Sequence, residues 1–408
     1  MPTGSKPPRW QLESVYPGYD SDEYLSDRRE LVKTSSSLLK KLNDSAARKK
    51  DPEKWLKTVL KKVDAAQGLY DTLSAYINCA YAVNTTDTRT LAELNSLEED
   101  ALALREAQVK LRAGLRPLRK RLNRLASKSK TIARFRFFLE EEAELADRQM
   151  SVEEEGLAAD LMRPGADAWG RLQDTISSNL AWPWEGDEQK TVVQLRSLAM
   201  DPDRTIREKA YRKELEAWQS MKLPLAAAIN GVKGFAVILD RRRHYESPLE
   251  HAARKARISP ATLEAQISTM KHNLGLFRTY LEAKAKLIGQ PRLAFYDLFA
   301  PVGSAQSSWS FRKARDFIVQ QFSSFSWELG DFAEHAFQEG WIDAEPRAGK
   351  VGGAFCAPMP RAGESRILAN FDGTFDSLFT LAHELGHGYH GWVLREQPYI
   401  QQDYPITL

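Results

Sequence analysis

Apolar residues recur three or four positions apart along most of the first half of the chain, as in Leu91, Leu94 and Leu97, then Leu102 and Leu104. That spacing is the helical period, and the segments that carry it are rich in Ala, Leu, Glu, Lys and Arg, all good helix formers. It predicts helices over 21–42, 51–83, 88–115, 133–149 and 202–218. Several of these open on Ser, Thr or Asp followed by an acidic residue, the usual N-terminal signature. No repeat of fixed period runs through them, which argues against a solenoid. After about Gly289 the pattern changes. Residues 293–302, LAFYDLFAPV, read as a short strand or loop ending at a proline. Residues 349–358 and 365–370 read as two short strands joined by the turn-prone PRAGE segment. The fold class is therefore mainly α with a small β-sheet late in the chain. We divide it into an N-terminal helical region, 1–185, and a second domain, 186–408.

The helical period returns over 375–394, FDSLFTLAHELGHGYHGWVL. At about 100° per residue, Leu378, Leu381, Ala382, Leu385, Tyr389 and Trp392 share one broad apolar face. Asp376, Thr380, His383, His387 and His390 form a narrow polar strip opposite. His383 and His387 are one turn apart and can converge on one ion, while Glu384 is rotated beside them. Zinc hydrolysis requires this set: two neutral nitrogen ligands, an open water position and a carboxylate base that does not itself ligate the metal. With seven histidines in the chain, an HExxH would arise by chance in roughly one sequence in a hundred. Gly386, Gly388 and Gly391 each cost about 1 kcal/mol in a helix interior, a cost that makes sense if another element or a substrate must come close. His390 continues the strip, as a hydrogen-bonded helix histidine or a substrate-facing group. The longer HExxHxxGxxH pattern is excluded because position 393 is Val393.

Composition narrows the partners. The chain has 408 residues, 42% hydrophobic and 28% charged, with a net charge of +3. That is too small an excess to favour nucleic acid or an anionic membrane. The basic stretch over 116–130 lacks interleaved aromatics and reads as a solvated helix face. Two distant cysteines, Cys79 and Cys356, form no disulfide framework and suit a reducing compartment. The first residues carry no secretory-type apolar core, and no run approaches 18 consecutive apolar residues. The expectation is a soluble, cytoplasmic protein.

Taken together, these residues resemble the oligoendopeptidase F branch of the thimet-oligopeptidase-like zinc peptidases. The likeness runs from Trp10-Gln11-Leu12 through Met150 to Glu155 and Ala168-Trp169 to LDRRRHYESPL at 239–249. It is strongest in that last block, in Phe295-Tyr296-Asp297-Leu298 with Ala300-Pro301-Val302, and in Gly349-Lys350 with Gly353-Ala354-Phe355-Cys356, and it culminates in TLAHELGHGYH at 380–390. The resemblance implies a two-lobed helical body enclosing a channel that admits short unfolded peptides. It implies one Zn2+ held by His383 and His387, with Glu384 as general base. It also implies that Gly353 to Cys356 lie on a strand beside the bound peptide, with Gly353, Ala354, Phe355 and His390 as substrate-binding residues. In this family the third zinc ligand is a glutamate a little over twenty residues past the second histidine, which falls beyond Leu408. A catalytic segment bearing a tyrosine and a histidine follows it. Glu396 and Asp403 are poor substitutes by position. The expectation is a C-terminally incomplete zinc oligopeptidase with little or no activity of its own. The alternative is a peptide-binding helical scaffold with a vestigial zinc site, and metal analysis with a cleavage assay separates the two.

Overall fold

The structure, a computed structural model, describes residues 6–303 and 308–405; the end of the YPITL stretch, 406–408, lies outside them. The first half folds as its periodicity predicts. Ser21 caps the helix Asp22–Asn43 by accepting from the Tyr24 amide. Asp51 caps Pro52–Val83, whose first residue is a proline pre-set for that position. Two boundaries differ from expectation. The 88–115 stretch breaks at Ala101 into Thr88–Asp100 and Leu102–Leu115. Helix 133–149 begins only at Arg136, after a separate turn, Lys130–Arg134, capped by Ser129. Local caps and tightened turns made these breaks, and periodicity does not register them.

Pro52–Val83 is the centre of the larger core. Leu56, Val59, Leu60, Leu69, Leu73 and Ile77 are buried along it, against Leu31 and Leu38 on one side and Leu111, Leu115 and Leu139 on another. Each such side chain contributes roughly 1.5–3 kcal/mol by leaving water. The basic 116–130 stretch packs Leu118, Leu122 and Leu125 inward, and its Arg116 guanidinium donates to the carbonyl of Ala146.

The second half is also helical but includes two small sheets. β1 (Ala181–Pro183) and β2 (Gln189–Thr191) form an antiparallel pair. β3 (Ile342–Asp343), β4 (Phe355–Met359) and β5 (Glu364–Leu368) form a second sheet in the order β3-β5-β4, with β3 parallel and β4 antiparallel to β5. The expected hairpin is therefore present, but its first strand starts at Phe355. Residues 349–354 stay a loop because Gly349 and Gly353 take φ of +79° and +81°, a left-handed conformation open to glycine. The LAFYDLFAPV stretch is a turn of 3-10 helix, Phe295–Asp297, not a strand. The buried Asp297 carboxylate accepts from the Ala294 amide and pairs with Arg204 and Arg207, which curls the segment.

The loop before β4 ties the two halves together. Thr85 donates to the carbonyl of Gly349, and Val351 donates to that of Ala82, at the end of the central helix. Between them Lys350 is wholly enclosed. Its ammonium donates to the carbonyls of Asp343, Glu345 and Ala369, at 3.1, 3.1 and 2.6 Å, and pairs with the Asp343 carboxylate at 2.7 Å. Burial pulls the Lys350 pKa down to about 8, against Asp343, which acts to raise it. The N-terminal strap closes the same region. Pro8 accepts from Ala344, Gln11 donates to Gly340, and the buried Arg366 donates to Gln11.

One helix, Lys222–Arg242, is long and apolar enough to cross a membrane by length and composition, though only 11% of that stretch is buried. Asn230, Lys233 and Asp240 interrupt it, so it contains no continuous apolar run of that length. Its Leu223, Ile229 and Ile238 are exposed, as are Leu276, Phe277 and Tyr280 on Leu274–Leu287.

Lys350→Met should cost about 3–5 kcal/mol, because it leaves the Ala369 carbonyl without its donor and removes one cation from the buried Asp343 carboxylate. Urea denaturation followed by tryptophan fluorescence checks this; a loss under 1 kcal/mol would show that the ammonium does not hold the loop.

Candidate active site

The site helix spans Phe375–Leu394, the bounds its sequence predicts. Thr374 caps it, accepting from the Ser377 amide at 3.1 Å, while Asp372 accepts from the Thr374 amide and hydroxyl. Its apolar face meets the second core: Leu378, Leu381 and Leu385 are buried with Phe332, Trp341 and Ile367, and Ala382, Tyr389 and Trp392 pack at the margin. The glycines divide by environment. A methyl group on Gly388 would lie 3.0 Å from the Phe332 ring and 3.7 Å from the Cys356 sulfur, a tight contact that would oblige the Phe332 ring to give by a few tenths of an ångström. Gly391 faces Ser365 at ordinary contact, and Gly386 faces open space.

On the open side, His383 is exposed and His387 half-buried. Their Nε2 atoms point at each other across 3.1 Å, with the rings perpendicular. Two nitrogens bound to one tetrahedral zinc at about 2.0–2.1 Å would sit roughly 3.3 Å apart, so this pair fits one ion with little adjustment. Burial lowers the His387 pKa, helped by the neighbouring His383 and His390, and so favours the neutral, ligating form. Among the described residues no group of three or more His, Cys, Asp or Glu gathers around a possible ion. Glu396 and Asp403 are exposed.

Glu384, next to His383 on the helix, is 7% exposed. Burial raises its pKa, while a charged His383 would lower it. A carboxylate so placed is a stronger base than one in water, with a pKa closer to the range suited to taking up a proton and passing it on. Cys356 and Tyr404 border it, and burial pushes both the thiol and the phenol up to about 12. Sequence reasoning missed both neighbours. Cys356 stands inside the GAFC block, and Tyr404 opens the YPITL stretch, but neither spacing shows that they meet the site helix.

His390 does not project freely into solvent: its ring stacks on Tyr404, with centroids 4.2 Å apart. Gly353 and Ala354 precede β4 rather than lying on it, and the Gly353 carbonyl accepts from Asn370 at 2.9 Å. They line a cleft of about 720 Å³ that reaches Thr380, one turn before His383, and is closed opposite by Asp174, Val192 and Met200. The Phe355 ring turns the other way, toward Trp10. β4 pairs with β5 along one edge, and no strand pairs with its other edge among the described residues.

The segment after the site helix folds back toward the N-terminal half. Tyr399 sits in a notch at Gly68, Ile400 donates to Asp64 at 3.1 Å, and Gln401 donates to the carbonyl of Arg134 at 2.6 Å. That anchoring brings Tyr404 over the histidines.

Comparison with known proteins places the chain in a family. A family described as Peptidase family M3 matches residues 197–408, and one described as Oligopeptidase F matches residues 119–181. Group B oligopeptidase PepB of Streptococcus agalactiae is 29% identical over 213 residues, covering 52% of this chain and 35% of that protein. Oligopeptidase PepF of Bacillus subtilis is 22% identical over 426 residues, covering 97% of this chain and 59% of that protein. The chain thus spans between about a third and three fifths of the length of these relatives. Among solved structures, PZ peptidase A with an inhibitor superposes with a TM-score of 0.70 at 17% identity, covering 90% of this chain and 63% of that one. Oligoendopeptidase-F from Enterococcus faecium superposes with a TM-score of 0.62 at 16% identity, covering 91% and 62%. At these identities the likeness is one of fold, which is mostly helical with small sheets.

Gly68→Ala would place a methyl group 2.4 Å from the Tyr399 ring. It should cost about 1–3 kcal/mol, and adding Tyr399→Ala should cost less than the sum of the two single changes. A double-mutant cycle by urea denaturation tests this; strict additivity would mean that the notch does not hold the loop.

Proposed function

The chain belongs to peptidase family M3, and on that premise we propose that its site serves zinc-dependent cleavage of short, unfolded oligopeptides in the cytoplasm. The observation that carries this reading is the 3.1 Å convergence of His383 and His387 through Nε2, on the same helix as the buried Glu384 between them in sequence. A zinc ion on those nitrogens would polarise a peptide carbonyl and acidify an attacking water.

The chain's own residues do the rest. Glu384 takes a proton from the attacking water, and its raised pKa suits it to hand that proton to the departing amine. The cleft past Gly353 and Ala354, of about 720 Å³, is the space where a peptide would lie. The free edge of β4 offers backbone groups to pair with such a chain, a common way to bind peptides without reading every side chain. His390 acts beside this path through the ring stacked on it. The third zinc ligand is proposed to be a glutamate beyond Leu408, as the family resemblance implies. Without that ligand, residues 1–408 would hold the ion weakly and turn over little peptide.

In equilibrium dialysis against zinc, the 408-residue chain should bind one ion weakly, and His383→Ala or His387→Ala should each abolish that binding. Glu384→Gln should keep the ion and lower any cleavage of a quenched peptide by about 10²–10⁴-fold. Loss of zinc from Glu384→Gln would overturn the base assignment. Failure of the unaltered chain to bind zinc would favour the vestigial scaffold.

A further inference from the structure

Each face of the His387 ring nitrogens has a distinct neighbour. Nε2 faces His383, whereas Nδ1 lies 3.4 Å from the Tyr404 hydroxyl. A neutral imidazole carries one proton, and the nitrogen that holds it cannot bind an ion. Which nitrogen that is depends on what faces the other one. The Tyr404 ring lies on His390 at 4.2 Å and 24°, and nearly parallel to His387 at 6.1 Å and 11°. A hydroxyl on a swinging side chain would orient nothing, but this one is gripped by a stack, and its backbone follows a loop fastened at Gly68, Asp64 and Arg134.

We propose that Tyr404 is a positioning residue: its hydroxyl accepts from Nδ1–H of His387, which keeps Nε2 unprotonated and aimed at the ion, and His390 holds the Tyr404 ring in place. This assigns His390 a task that involves no substrate, since it acts on the ion through Tyr404 and His387. It also gives the first half of the chain a part in metal binding, because the helix Pro52–Val83 carries both Asp64 and Gly68. The inference rests on the zinc reading of the site, and the experiment separates the failure of one from the failure of the other.

Zinc affinity is measured by competition with a chromophoric chelator on the 408-residue chain and on Tyr404→Phe, which keeps the ring and removes only the hydroxyl. A second readout needs no metal: ¹⁵N shifts of histidine rings in the metal-free protein report which nitrogen of His387 is protonated. Tyr404→Phe should bind zinc about tenfold more weakly, at the lower end of what outer partners of metal ligands contribute. Its His387 ring should also change from mainly Nδ1–H to a mixture of tautomers. His390→Ala, which leaves the hydroxyl but loosens the ring, should weaken zinc binding by a smaller factor and serves as the test should Tyr404→Phe fail to fold. Zinc affinity within twofold of the unaltered chain in the folded variants, with an unchanged His387 tautomer, would overturn the positioning role while leaving the site assignment intact. No zinc binding by the unaltered chain, or binding left unchanged by His387→Ala, would overturn the site assignment and this inference with it.

Discussion

A helix that works as a metal-binding surface must be dry on one side and open on the other, and much of the second half of this chain is arranged around that division. Leu378, Leu381 and Leu385 bury their side chains against Phe332, Trp341 and Ile367. The contact is close enough that a methyl group on Gly388 would press on the Phe332 ring. With one face held so tightly, the helix cannot roll. His383 and His387 are thereby fixed toward the cleft, and Glu384, rotated about 100° from His383, is carried to the rim of the buried face. A single packing interaction thus sets the directions of both ligands and the burial that raises the pKa of the base.

The sheet beneath the site helix is small and would not be stable alone. It is held by contacts that cross almost the whole chain. Pro8 and Gln11 bond to residues 340–344, and the end of the central helix bonds to Gly349 and Val351. Lys350 fills the remaining hole, where its ammonium satisfies carbonyls from β3, from the loop that follows it and from the end of β5. A buried ammonium is costly unless every proton has a partner. Here it has four acceptors, so the strands register only when all of these segments are in place. The N-terminal half is therefore part of the scaffold of the site, and the return loop at Tyr399 to Tyr404 repeats the same connection on the other side of the helix.

Periodicity and one motif made much of this legible beforehand. The caps at Ser21 and Asp51, the bounds of the site helix and its division into an apolar and a polar face all follow from residues within a few positions of each other. The hairpin between β4 and β5 was visible for the same reason. Where a segment could be strand or loop, distant partners decided. LAFYDLFAPV has strand-like composition, yet Asp297 is drawn into a turn by Arg204 and Arg207, some 90 residues away. Residues 349–354 look extendable, but their glycines and their bonds to the central helix keep them a loop.

The sequence by itself determined the chemistry on offer: two imidazoles one turn apart, a carboxylate beside them and an amphipathic helix to carry all three. Those relations are local, set by 3.6 residues per turn, and survive whatever the rest of the chain does. Only the tertiary structure decided how those groups are tuned. Burial of Glu384, the thiol of Cys356 against it, and the meeting of Tyr404 with His387 and His390 depend on segments brought together from far along the chain. No spacing in the sequence encodes such meetings, because they result from which surfaces exclude water against which others.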